Sequence, residues 1–218
     1  MSQFEKLKAK HRDVRDAFEP GLNLRVHRAL SWIHAMEKQA DQSDEKFILG
    51  WIALNAAYAE YSPDAAQIRD REGLNQYLAK IIELDEDRQV YQAIWVTFSG
   101  AIRSLLANPY IFSQYWDHQN GVAGYEDWEE SFQRRGLRVG EALSRQDTGY
   151  ILSEVFSRLY VLRNQLIHGG ATWQGGVNRN QVRDGGRVLE QLVPVFVNIM
   201  MDNPEANWGE AYYPVQVK

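Results

Sequence analysis

The chain has no cysteine in its 218 residues. Disulfides, thiolate metal sites and a cysteine nucleophile are thereby excluded, and a reducing compartment, the cytoplasm, is the expected location. Long apolar runs are also missing. No uncharged stretch approaches the roughly 18 residues of a membrane span, and the opening "MSQFEKLKAKHRDVRDAFEP" is too charged for the apolar segment of a signal peptide. Alternating strand-like runs are nearly absent, as are repeats and low-complexity tracts. Serine-hydrolase chemistry lacks its Gly-x-Ser-x-Gly elbow, and phosphate-loop chemistry lacks Gly-x4-Gly-Lys. His27 and His34 lie seven apart, but no His-x-x-x-His pair accompanies them, so neither a metal nor another cofactor is expected. The paired acids of "ELDEDR" and "YEDWEE" read as solvated faces or caps.

What is present suits one sizeable domain over residues 1–218. Hydrophobic residues make up 44%, with seven Trp, eleven Tyr and eight Phe for a core. A chain of this length buries roughly 70% of its unfolded surface. Net charge is −5, which argues against a general nucleic-acid binder. Its distribution is uneven. Residues 134–187 hold nine Arg against four acids, a local +5 without any Lys. The planar Arg fork donates two hydrogen bonds at once and suits phosphate.

Apolar residues recur at three- and four-residue steps, which predicts an all-α bundle of about six to eight helices. A first helix is expected over about 22–40, carrying Leu22, Val26, Ala29, Leu30, Ile33 and Met36. Ser43 or Asp44 caps the next, which carries "FILGWIALNAAYAEY" to about Tyr61 and breaks at "SPDA". A third helix is expected near 70–84. A fourth, near 86–107, has Val90, Ile94, Phe98, Ile102 and Leu105 on one side and stops at "NPY". Residues 108–146 mix aromatics, charge and glycine and read as a loop with short helices. Asp147 or Thr148 opens a helix that Gly169 and Gly170 end in left-handed conformation. Asn178 with Gln181 resembles a capping box for a last helix that Pro194 kinks and Pro204 stops. The tail from Asn203 is expected to be an extended aromatic arm.

The helix ending at Gly169 has two apolar faces. Leu152, Val155, Leu159, Leu162 and Leu166 form one stripe, and Phe156, Tyr160 and Ile167 lie roughly 100° away. Burial on both sides follows, either deep in the bundle or against a second subunit. Arg163 lies between the faces with Asn164 beside it, both costly to bury unpaired. His168 follows Asn164 by four residues and shares its side. The spacing alone equally fits a helix C-terminus whose Arg and His meet the negative end of the dipole before a terminating Gly.

"RNQLIH", Arg163 to His168, resembles the Arg-x4-6-His signature of HEPN domains (higher eukaryotes and prokaryotes nucleotide-binding), with the favoured polar residue after the Arg present as Asn164. "FILGWIALNAAY", and "LRNQLIHGGAT" followed by "VLEQLVPVF", are similar to the Apea-like branch. The likeness covers about residues 44–202, leaving an N-terminal helical extension, 1–43, and an extended tail, 203–218. The resemblance implies metal-independent RNA cleavage by a homodimer in which two motif helices meet, in a toxin or antiphage setting with an antitoxin or regulatory protein as partner. It also implies roles. His168 moves protons, Arg163 holds the phosphate and Asn164 orients either of them. Members of the family also serve as non-catalytic modules that bind nucleotide, RNA or protein. Around this site, Arg158, Arg179, Arg183 and Trp173 are candidate RNA contacts, and Asn55 and Tyr160 candidate supports.

Overall fold

The periodic segments do become helices. The computed structural model describes residues 1–41, 43–60, 68–97, 99–176, 178–211 and 213. Among them lie ten α-helices and no strand, more helices than the six to eight expected. In order these are α1 (Gln3–Val14), α2 (Pro20–Glu37), α3 (Asp44–Tyr58), α4 (Ile68–Leu84), α5 (Gln89–Gln92), α6 (Ser99–Leu106), α7 (Ser113–Gln119), α8 (Trp128–Arg145), α9 (Thr148–Ile167) and α10 (Arg179–Asp202). A π-helical stretch, Ala93–Thr97, splits the helix expected near 86–107. Val90, Ile94, Ile102 and Leu105 nevertheless stay buried. Phe98, "SPDA" and Tyr61 lie outside the described residues. No described helix is long and apolar enough to cross a membrane.

α10 is the hub. It packs on α2 and α3 with α1 along its flank, while α9 and α4 close the other side. Val188, Leu189, Leu192, Val193, Phe196 and Val197 of α10 are buried, as are Leu30, Ile33 and Met36 of α2. α1 is joined to α10 by Gln3 with Gln191 and by Lys10 with Asn198 and Asp202. Two glycines permit close approach. A Cβ on Gly50 would lie 2.8 Å from Met36 Sδ, and one on Gly185 2.9 Å from both Leu159 and Phe47. Gly185 therefore lets α10 seat against α3 and α9 together.

Local signals decide the helix ends. Ser43 accepts from the Lys46 amide ahead of α3, and Asp147 from the Tyr150 amide ahead of α9, as capping chemistry requires. The capping box at Asn178 does not form. Asn178 is left-handed, φ 58°, rather than in the extended conformation of an N-cap, and has no side-chain cap; its Nδ2 donates to Gln165 Oε1 at 3.0 Å. α10 runs on through Pro194. The largest departure is α8, an 18-residue helix where a loop with short helices was expected. Glu129 and Glu130 in its first turn complement the N-terminal dipole, and Glu130 pairs with Arg134. The described part of the tail packs back onto the bundle. Trp208 is buried and edge-on to Tyr77, Ala211 bridges Glu60, and the buried Arg25 donates to the carbonyls of Ala57 and Glu210.

Candidate active site at the end of the motif helix

α9 is sheathed on both faces by the rest of the chain. Leu152, Val155, Leu159 and Leu162 are buried, and so is Phe156, which meets Phe196 with ring centroids 5.8 Å apart. Tyr160 lies edge-on to Trp51 at 5.9 Å. Of the second face only Ile167 is left exposed, at 51%. The second apolar cluster is thus satisfied largely inside the bundle.

The helix terminates as its glycine predicts, but only once. Gly169 takes φ +71°, whereas Gly170 does not share that conformation, and a Cβ there would meet the Gln165 carbonyl at 3.3 Å. The chain turns back so that the Ala171 amide reaches the Gln165 carbonyl at 3.0 Å. Gln165 fixes this end from its side chain too, donating to the Tyr110 carbonyl and accepting from Asn178. The following loop is tied to the start of α3. Buried Asp44 accepts from the Gln174 amide and from both Nη1 and Nη2 of Arg179, and Trp173 Nε1 donates to Glu45. Sequence reasoning missed Gln165 and Asp44 as positioning residues: Gln165 is a variable position inside the motif, and Asp44 read only as a candidate cap of α3.

Within this frame the three motif residues occupy one end of α9. Arg163 Nη1 donates to Asn164 Oδ1 at 2.9 Å, and its guanidinium lies 5.8 Å from the Tyr160 ring centroid. His168 is the C-cap; its backbone amide donates to the Asn164 carbonyl at 3.0 Å. Its ring is exposed and makes no hydrogen bond among the described residues. Arg163 and Asn164 are therefore joined directly, while exposed His168 meets Asn164 through its backbone amide. Asn55 approaches from α3. It lines, with Phe47, Ile48, Trp51, Ile52, Arg163, Leu166 and Ile167, a pocket of about 110 Å³. The sequence signal for this wall was the spacing of Phe47, Trp51 and Asn55, each four residues apart on one helix face.

The candidate RNA contacts divide sharply. Arg158 is only 2% exposed, sandwiched near the rings of Phe112 and Phe132 at 4.6 and 5.4 Å. Burial pulls its pKa down to about 10 against the raising effect of Glu154. Such a side chain presents no fork to an external phosphate, and Arg158 is a core cation of the bundle. The readable signal was its place in line with Ile151, Glu154 and Val161, a charged pair inside an apolar row. Arg179 is committed to Asp44, and Arg183 pairs with the adjacent buried Asp184 at 2.9 Å. Trp173 is 72% exposed. Arg134, Arg135 and Arg187 also pair, with Glu130, Glu154 and Asp41. The +5 segment is thus largely neutralised by neighbours, some from outside it. Among the described residues no group of three His, Asp or Glu side chains is placed to hold a metal ion. His27 is exposed and His34 packs at a tilt against Phe4, ring centroids 4.2 Å apart.

Comparison with protein-family models, with curated proteins and with solved structures finds no match.

Proposed function

We propose that the chain is a metal-independent endoribonuclease of HEPN type, acting through Arg163, Asn164 and His168. The observation that carries this reading is their arrangement. A guanidinium is locked to an amide at 2.9 Å, and an exposed, uncommitted imidazole stands on the same helix end. In the proposed reaction the ribose 2′-oxygen attacks phosphorus while His168 takes its proton. The bond from phosphorus to the 5′ oxygen breaks, and that oxygen receives a proton. The products are a 2′,3′-cyclic phosphate and a 5′-OH. Imidazole can both take up and give up a proton near neutral pH, so it suits either transfer. Arg163 stabilises charge on the phosphate oxygens and Asn164 holds it in place. A homodimer joined through the motif helices supplies a second imidazole, and exposed Ile167 lies where such a contact forms. A toxin or antiphage role, restrained by an antitoxin or regulatory protein, predicts growth arrest on overexpression.

A second reading is favoured by one feature: Arg163 lines a small apolar pocket and is not held against His168. That geometry suits a non-catalytic HEPN-type module that recognises nucleotide, RNA or a partner protein. The test is incubation of purified protein with mixed cellular RNA in excess chelator, beside His168→Ala, followed by analysis of fragment ends. Cyclic-phosphate ends from the wild type alone support the ribonuclease. A folded wild type that cuts none of many RNAs removes it in favour of the binding module.

A further inference from the structure

Ahead of the motif, α9 carries a second set of charged groups that the proposed reaction does not use. Glu154 and Arg158 lie one turn apart and are 5% and 2% exposed. From α8 comes Arg135, whose Nε lies 3.1 Å from both Glu154 oxygens. From α4 comes Arg71, whose Nη2 donates to Ser157 Oγ at 2.6 Å. Arg138 stands one turn from Arg135 on α8 and is exposed.

Charge is unbalanced here. Among the described residues Glu154 is the one carboxylate that ion-pairs with any of these four arginines, so three positive charges are left over. They act on one another. Burial lowers the Arg158 pKa to about 10 against the pull of Glu154, and Arg135 and Arg71 lower it further. Burial and Glu154 raise the Tyr150 hydroxyl, while Arg135, Arg138 and Arg158 draw it back. The rings of Phe112 and Phe132 cover Arg158 but cancel no charge, and a buried cation without a counter-charge is costly.

The donors left over define the counter-ion. Nη1 and Nη2 of Arg135, Nε and Nη1 of Arg71 and the whole Arg138 guanidinium have no hydrogen-bond partner among the described residues. The Arg135 side chain is 38% exposed, so the group opens to solvent. Planar guanidiniums take phosphate through paired N–H groups. A phosphate monoester brings about −1.5 to −2 charges at pH 7, whereas each phosphate of a nucleic-acid backbone brings about one. A surplus of three in one place therefore favours a terminal phosphate or a diphosphate over a backbone.

We infer that Arg71, Arg135 and Arg138 form a binding site for a small phosphate-bearing anion, seated over α9 at Glu154 and Ser157, with buried Arg158 adding charge from the core side. No motif residue takes part, so the site stands apart from the ribonuclease reading.

Titration calorimetry of the full chain with inorganic pyrophosphate, at constant ionic strength, tests it. Pyrophosphate should bind saturably. Arg71→Gln and Arg138→Gln should each weaken it at least about tenfold, a factor of about 1.4 kcal/mol and less than one charge-assisted hydrogen bond contributes. Arg12→Gln on α1, an equal loss of charge from an exposed side chain, should bind as the wild type does, with thermal unfolding confirming that each variant is folded. No saturable binding, or equal weakening by Arg12→Gln, overturns the site. Weakening by Arg163→Gln but not by Arg71→Gln or Arg138→Gln places the anion at the motif end and overturns it too. Displacement of pyrophosphate from these arginines by mixed single-stranded RNA overturns the assignment to a small ligand.

Discussion

Replacement of Gly185 by Ala isolates a single steric contact at the meeting of α3, α9 and α10. The new Cβ would lie 2.9 Å from Leu159 Cδ2 and 2.9 Å from Phe47 Cε2. Neither neighbour can retreat easily, because both side chains are 0% exposed. Overpacking of this kind costs typically about 1–3 kcal/mol. Against it stands the higher helix propensity of Ala over Gly, about 1 kcal/mol. Gly136→Ala, on the exposed face of α8 with nothing within 4 Å of its Cβ, receives the same propensity gain without the clash. Subtracting one variant from the other cancels propensity and most of the unfolded-state effect. The difference should therefore be the steric cost itself, about 1–3 kcal/mol. For a domain of this size each kcal/mol moves the melting temperature by about 2–4 °C. Gly136→Ala should melt above wild type and Gly185→Ala several degrees below Gly136→Ala, measured by circular dichroism on both proteins in one buffer. Equal melting temperatures would refute the close-approach argument.

Three further outcomes follow from described contacts. Asp44→Ala removes the acceptor for Gln174 and for the forked Arg179. With Arg179 retaining partial access to water, the loss should be about 2–3 kcal/mol by urea unfolding, and a change under 0.5 kcal/mol would show that the loop needs no anchor. His11 is buried beside Asn23, and desolvation lowers its pKa below 6.5. The folded state then binds fewer protons than the unfolded state in the window below about 6.5, so stability should fall as pH drops through it. His11→Gln should flatten that part of the stability profile, and an unchanged slope would place the titration elsewhere. Finally, five of the nine Arg in residues 134–187 are ion-paired and Arg158 is buried, leaving three for phosphate. Any RNA affinity should then fall with salt at a log–log slope near −2, taking about −0.7 per contact for single strands; a slope steeper than about −5 would mean that the internal pairs open for RNA.

The helices that sequence reasoning found are those whose burial is written in apolar spacing, such as α3 and α9 with their Ser43 and Asp147 caps. α8 escaped because it buries little: Val139 and Ala142 are its only fully buried residues, and Gly136 and Gly140 dilute its propensity. α1 was unread for the same reason, its buried residues being Leu7 and His11. The capping box at Asn178 failed because that residue turns left-handed instead of extended, a backbone choice that the residue types of a capping box do not reveal. At the site, the clustering of Arg163, Asn164 and His168 on one helix end was legible from spacing. The burial of Arg158 left only an indirect trace, its row with Ile151, Glu154 and Val161, since the rings that cover it come from Phe112 and Phe132, inside the segment whose structure was misjudged. Nor could one chain's pattern tell that the second face of α9 meets Trp51 and Phe196.

The contacts of α10 bear on how the protein is made. α1, α2 and α3 leave the ribosome long before the helix that covers them. The hydrogen bond of Lys10 to Asn198 spans 188 positions, and that of Arg25 to the Glu210 carbonyl spans 185. Contacts this remote delay folding, and the waiting segments expose apolar surface meanwhile. α3 and α9, which together line the pocket, touch few residues of each other directly and are both clamped by α10 through Gly185. The motif residues of α9 are followed within a dozen positions by α10, so α3, made long before, receives both of its partners in the pocket wall almost together.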